Sequence, residues 1–175
     1  MKIVQFAVLG LLLTAFTQAS TPARADDIDR LSVGLGYADV FDNEDDAVDF
    51  RMEYRPGTSI IWELRPWLGV EVTSNGSLYG AAGFLYDYHL GNQWYLTPSV
   101  GAGLYAEGGG KDLGSAIEFR SQIEIGYQFE NQSRVSAALS HISNLDIDDH
   151  NPGTEVLGVY YHIPMQWVKN GPGSQ

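Results

Sequence analysis

Ile117-Glu118-Phe119-Arg120-Ser121-Gln122-Ile123-Glu124-Ile125-Gly126-Tyr127-Gln128-Phe129 decides the fold. In an extended chain successive side chains point to opposite faces. Ile117, Phe119, Ile123, Ile125, Tyr127 and Phe129 then share one face, and Glu118, Arg120, Gln122, Glu124 and Gln128 the other. A second stretch repeats the pattern, with Val48, Phe50, Met52 and Tyr54 set against Asp49, Arg51, Glu53 and Arg55. Rows of charge backed this regularly by rows of grease fit a closed sheet whose polar side is the lumen and whose apolar side meets lipid. A secreted lipocalin-like barrel has the opposite polarity, apolar within. The charged rows are expected to pair inside the barrel, Arg51, Arg55 and Arg120 with Asp49, Glu53, Glu118 and Glu124.

Working outward, the rest of the chain reads as strands punctuated by turns. Leu31, Val33, Leu35 and Tyr37 alternate with small residues ahead of an acidic loop from Asp42 to Asp46. Arg55-Pro56-Gly57-Thr58 makes a turn, and Ser74-Asn75-Gly76-Ser77 a hairpin with the favoured Asn-Gly pair. The third strand is expected from Ile60 to Thr73, interrupted near Pro66, and the fourth as far as Leu90. The fifth starts at Trp94, the seventh runs from Val135 to Asn144, the eighth from Thr154 to Trp167, and no helix is expected. Short turns near Pro56, Gly91 and Asn131 alternate with longer polar loops at Asp42–Asp46, Glu107–Gly114 and Leu145–Gly153. That asymmetry favours an all-β, eight-stranded antiparallel transmembrane β-barrel of the outer-membrane type.

Lys2, the apolar run from Ile3 to Phe16 and Ala23-Arg24-Ala25 have the form of a signal peptide. The domain reading is a signal peptide over 1–25, one barrel over 26–167 and a flexible tail over 168–175. A net charge of −12 leaves no basic patch for a nucleic acid. With no cysteine, stability must come from packing or sheet closure.

His141-Ile142-Ser143-Asn144 ends the seventh strand, and Glu155 heads the apolar row of the eighth. His141 and Ser143 prolong the apolar face of Val135, Ala137 and Leu139. Pairing across the loop sets Ser143 roughly opposite Glu155 and His141 opposite Leu157, at the outer rim and on the greasy side. Ionisable groups there are costly and usually functional, although any one of them alone reads as interfacial decoration. Asp146, Asp148, Asp149 and His150 lack the spacing of a calcium loop and read as a solvated acidic loop, so no metal is expected. His89 and His162 read as structural, and Trp62, Trp67, Trp94 and Trp167 as an interfacial aromatic belt.

His141-Ile142-Ser143-Asn144, Asn151-Pro152-Gly153, Glu155, Tyr160-Tyr161-His162-Ile163-Pro164 and the run from Leu113 to Phe119 resemble the lipid A 3-O-deacylase (PagL) family. The resemblance covers the mature chain and is most specific in its last third. It implies an outer-membrane enzyme without a cofactor. Its substrate would be lipid A, the lipid anchor of lipopolysaccharide, cut at the ester-linked acyl chain of position 3. The family's histidine, serine and glutamate match His141, Ser143 and Glu155. Ser143 would then be the nucleophile, His141 its general base and Glu155 the group that orients the imidazole. Asn144, Asn151 and Gly153 are candidates for oxyanion or loop support. The active site would face the outer leaflet, with membrane lipid as neighbour and a homodimer left open. The tail after Trp167 departs from the aromatic ending common among such barrels. A non-catalytic barrel serving adhesion or envelope structure, and a soluble ligand-binding barrel, are the competing readings.

Overall fold

Alternation of this kind yields strands that pair only with their polar rows on one side, because a slip of one residue would turn every side chain over. In the computed structural model, which describes residues 28–42 and 46–171, nine strands follow. They are β1 (Arg30–Ala38), β2 (Ala47–Arg55), β3 (Arg65–Thr73), β4 (Leu78–Leu85), β5 (Tyr88–Gly91), β6 (Trp94–Ala106), β7 (Ile117–Gln128), β8 (Arg134–Ser143) and β9 (Thr154–Pro164). The signal-peptide stretch, the middle of the acidic loop and the last four residues lie outside the described part.

Neighbouring strands are antiparallel, β1 pairs with β9, and β6 pairs with both β4 and β5, so the sheet closes on itself. The barrel has eight staves, because β4 and β5 are one stave: Leu85 pairs with Ser99 and Tyr88 with Leu96 in unbroken register. The interruption falls opposite Pro98, whose oxygen accepts the Tyr86 N–H at 3.1 Å but which has no N–H to return.

The expected polarity holds. Arg51 pairs with Asp49 and with Glu71 (3.0 Å), Arg55 with Glu53 (2.6 Å) and Glu124 (2.7 Å), and Arg120 with Glu53 (2.8 Å) and Glu71. Glu118 also points inward and is fully buried, but it joins no ion pair among the described residues; Glu71 stands where it was expected. The outer wall carries Leu35, Phe50, Leu68, Val100, Ile125 and Val159, all exposed.

Three boundaries differ from the sequence reading. Residues 60–64 form a tight reversal closed by the Ile61–Leu64 bridge, with Trp62 and Glu63 in the left-handed region (φ 48° and 65°), so β3 starts at Arg65 rather than Ile60. β9 stops at Pro164, and Met165 gives its N–H to the Asp29 carbonyl at 2.8 Å. A short helix, α1 (Met165–Asn170), follows, so Val168, Lys169 and Asn170 of the expected tail are helical. Trp67 is no belt residue: it is buried in the lumen beneath the Arg120 guanidinium, 3.9 Å from the ring centre, a favourable cation–π placement.

Candidate active site

The longest described loops, residues 107–116 and 144–153, meet at the end of the barrel where β8 stops and β9 begins. Leu113 folds down from the first of them against Tyr79 and Ile142, propping the end of β8 from inside. Asn144 ties the second loop to the first. Its side-chain amide donates to the carbonyls of Leu113 and His150, both at 2.9 Å, while its own N–H donates to Asn151 Oδ1 at 3.0 Å. Asn151 in turn donates to Asp146 Oδ1 at 3.0 Å. Gly114 lets the two loops touch: its φ is +87°, and a Cβ there would lie 1.8 Å from the His150 oxygen.

On this scaffold His141 and Glu155 are direct cross-strand partners. That is a register two residues away from the expected one, which set Ser143 against Glu155 and His141 against Leu157; Leu157 in fact faces Leu139. The turn after Ser143 consumes more chain than a simple loop, with Leu145 and Asp146 in left-handed conformations (φ 55° and 64°). Both members of the pair lie on the outer face of the sheet, with side chains 34% and 22% exposed. His141 Nδ1 is 2.9 Å from Glu155 Oε1. An ionised carboxylate only accepts, so Nδ1 donates this bond, and in the neutral imidazole Nε2 is left with the lone pair.

The imidazole leans toward the loop. A Cβ at Gly153 would lie 2.8 Å from His141 Cε1 and 3.5 Å from Nε2, and the φ of Gly153 is +70°. Any side chain there would collide with the ring as well as strain the backbone. Ser143 sits two residues beyond His141 on the same strand and the same face, opposite Phe119 of β7, and is only 5% exposed. No hydrogen bond joins Ser143 to His141 among the described residues, so the structure brings the histidine and the glutamate together and sets the serine beside them. Asn144 acts as loop support, since its amide hydrogens are already given to two carbonyls. Asn151 is tied on both atoms but keeps one amide hydrogen to spare.

In the acidic loop, Asp148 accepts the His150 N–H at 3.1 Å, an Asx turn of the usual kind. Sequence reasoning passed over two residues beside the site. Gly114 has only its place in a glycine-rich loop as a signal, whereas Ser121 interrupts the apolar row of β7 and pairs directly with His141.

The fold and the site together define an outer-membrane β-barrel with a histidine–carboxylate pair on its outer wall. The family model "Lipid A 3-O-deacylase (PagL)" matches residues 49–164. The chain belongs to that family. Lipid A deacylase PagL of Bordetella bronchiseptica is 26% identical over 108 residues, 57% of this chain and 61% of the relative, so the match spans less than two thirds of that protein. Lipid A deacylase PagL of Pseudomonas aeruginosa is 27% identical over 139 residues, 65% of this chain and 79% of the relative. The crystal structure of the outer membrane enzyme PagL superposes with a TM-score of 0.59 at 21% identity, covering 77% of this chain and 99% of that one.

Proposed function

We propose that this protein hydrolyses the ester-linked acyl chain at position 3 of lipid A, using Ser143, His141 and Glu155 on the lipid-facing wall near its outer rim. The observation that carries the reading is the 2.9 Å contact between His141 Nδ1 and Glu155 Oε1 on the outside of the sheet, with Ser143 next along the same row. Membership of a family whose relatives are named lipid A deacylase supplies the substrate.

Ser143 Oγ attacks the ester carbonyl while His141 Nε2 takes its proton. Glu155 fixes the tautomer and balances the charge of the imidazolium. The tetrahedral intermediate collapses as His141 returns the proton to the departing sugar oxygen, leaving an acyl-serine. A water then attacks, giving its proton to the same nitrogen, and the fatty acid and Ser143 are released. Positioned proton transfer of this kind is worth roughly 10²–10⁴-fold. The Gly153 N–H and the spare amide hydrogen of Asn151 are candidates for holding the oxyanion, each such donor contributing about 3 kcal/mol.

The wall below the pair suits an acyl chain. Farther down that wall, toward the end where β8 begins, a shallow apolar depression of about 690 Å³ is lined by Val33, Trp94, Tyr127, Val135, Ala137 and Tyr161. Ala137 lies four residues down β8 from His141, about 13 Å at the usual rise of a strand. A lipid anchored in the same leaflet reaches the site without leaving the membrane.

The test is Ser143→Ala in membranes bearing lipopolysaccharide. Mass spectrometry of lipid A should show the position-3 chain retained, while the barrel keeps its heat-modifiable mobility on gels. Deacylation by the folded variant would remove Ser143 from the mechanism.

A further inference from the structure

Ser121 carries the one aliphatic hydroxyl in the outward row of β7, which otherwise runs Ile117, Phe119, Ile123, Ile125 and, at the far end, Tyr127. It pairs with His141 on one side and with Val100 of β6 on the other. His141 is therefore flanked along a single row by Glu155 and Ser121, with adjacent Cβ atoms about 5 Å apart. The Ser121 hydroxyl bonds no other group among the described residues, and it is partly exposed on a wall that is otherwise hydrocarbon. Leaving a hydroxyl unpaired against hydrocarbon is unfavourable. Alanine would give the same space and the same strand at no such cost, so the hydroxyl asks for a polar partner that arrives with the substrate.

Its height says which part of the substrate that is. Ser143 pairs with Phe119 and His141 with Ser121, so Ser121 lies two residues, about 6.5 Å, below the nucleophile. Above the pair are polar loops, and below it are Leu139, Leu157 and the apolar depression, so the acyl chain leaves the ester downward past Ser121. The imidazole leans the other way, toward Gly153, which leaves Ser121 clear of the proton transfer.

Resting on the esterase reading above, we infer that Ser121 is a specificity-determining residue. Its hydroxyl hydrogen-bonds a polar substituent, a hydroxyl in the first place, carried on the second or third carbon of the acyl chain to be cut. The enzyme thereby favours hydroxylated acyl esters over plain ones of equal length.

Two 3-O-acyl glucosamine phosphates of equal chain length, one carrying a hydroxyl on the third acyl carbon and one without it, test this in detergent micelles. The wild type should prefer the hydroxylated ester, and Ser121→Ala should lower the ratio of the two kcat/KM values about tenfold, the worth of one neutral hydrogen bond. Ser121→Thr, which keeps a hydroxyl, should hold the ratio within threefold. A wild type that cleaves both esters equally, or a Ser121→Ala ratio that moves less than threefold, overturns the inference and leaves the esterase reading standing. Loss of both reactions in a folded Ser121→Ala barrel would make Ser121 the nucleophile and overturn it too. A folded wild type that cleaves neither ester removes the esterase reading itself.

Discussion

The barrel holds two groupings of serine, histidine and glutamate, one on each side of its wall. Inside, His162 accepts or gives hydrogen bonds at both nitrogens, to Ser32 Oγ (2.7 Å) and Ser136 Oγ (2.9 Å), with Glu124 at 3.4 Å. Its ring stacks on Tyr160 and is 1% exposed. Outside, His141 uses Nδ1 on Glu155 and leaves Nε2 unbonded on a partly open surface. The residue types are the same, so they do not identify the site. What separates a structural cluster from a reactive one is whether the imidazole has a nitrogen to spare and a route for substrate to reach it.

That contrast is sharpest under substitution. His141→Ala should lower lipid A deacylation by about a thousandfold or more, with the urea unfolding midpoint nearly unchanged. His162→Ala should do the reverse, costing about 2 kcal/mol in stability because Ser32, Ser136 and Glu124 lose a buried partner, while the surviving folded enzyme keeps its turnover. Activity lost in both, or in neither, would break the distinction.

Gly153→Ala should fall between them. The added methyl would meet His141 Cε1 at 2.8 Å and force a φ of +70° on an L-residue. We expect a loss of roughly 100-fold in kcat, the usual penalty for a displaced catalytic group, with about 1 kcal/mol of destabilisation. Single-turnover kinetics beside urea titration would separate the two.

The smallest effect belongs to neither grouping and serves as a baseline. At the opposite end of the barrel, Asp29 accepts the Gly57 N–H at 3.0 Å and the Tyr54 hydroxyl at 2.8 Å. The Gly57 bond first, then the tyrosine, hold its carboxyl below the usual value. A lowered pKa means the carboxylate stabilises the fold above the ordinary aspartate range and loses that contribution as acid is added. Asp29→Asn should therefore destabilise the barrel by less than about 1 kcal/mol at neutral pH, and the difference from wild type should close as acid takes the pH down through the lowered range of that carboxyl.

Most of the barrel was legible in the alternation of β2 and β7, because a lumen filled with ion pairs writes itself as an unbroken charged row. The two rows told which arginines point inward, but not every partner: Glu71 lies in a strand with too little charge to announce itself, and Glu118 was credited with its place. The outward placement of His141, Ser143 and Glu155 was legible by parity alone, since all three break greasy rows. Its register was not legible. Asn144 and Asn151 fold the loop back by hydrogen bonds across seven residues, and two left-handed residues absorb length that simple counting assigns to the ladder. Trp67 was misplaced for a different reason: tryptophan is at home both at an interface and under a guanidinium, and only Arg120, reaching across the lumen from the non-adjacent β7, decides between them.

Arg51 has a consequence for the outer wall. From β2 its guanidinium reaches Glu71 of β3, Gln122 of β7, Ser140 of β8 and Tyr160 of β9. It works as the hub of a wheel whose spokes end on most of the rim. Ser140 and Tyr160 are spoke ends on the two staves that carry His141 and Glu155, so neither stave can slide without breaking a bond at the hub. The stiffness of the wall that carries His141 and Glu155 is thus set from the axle, by a residue buried on the other side of the sheet.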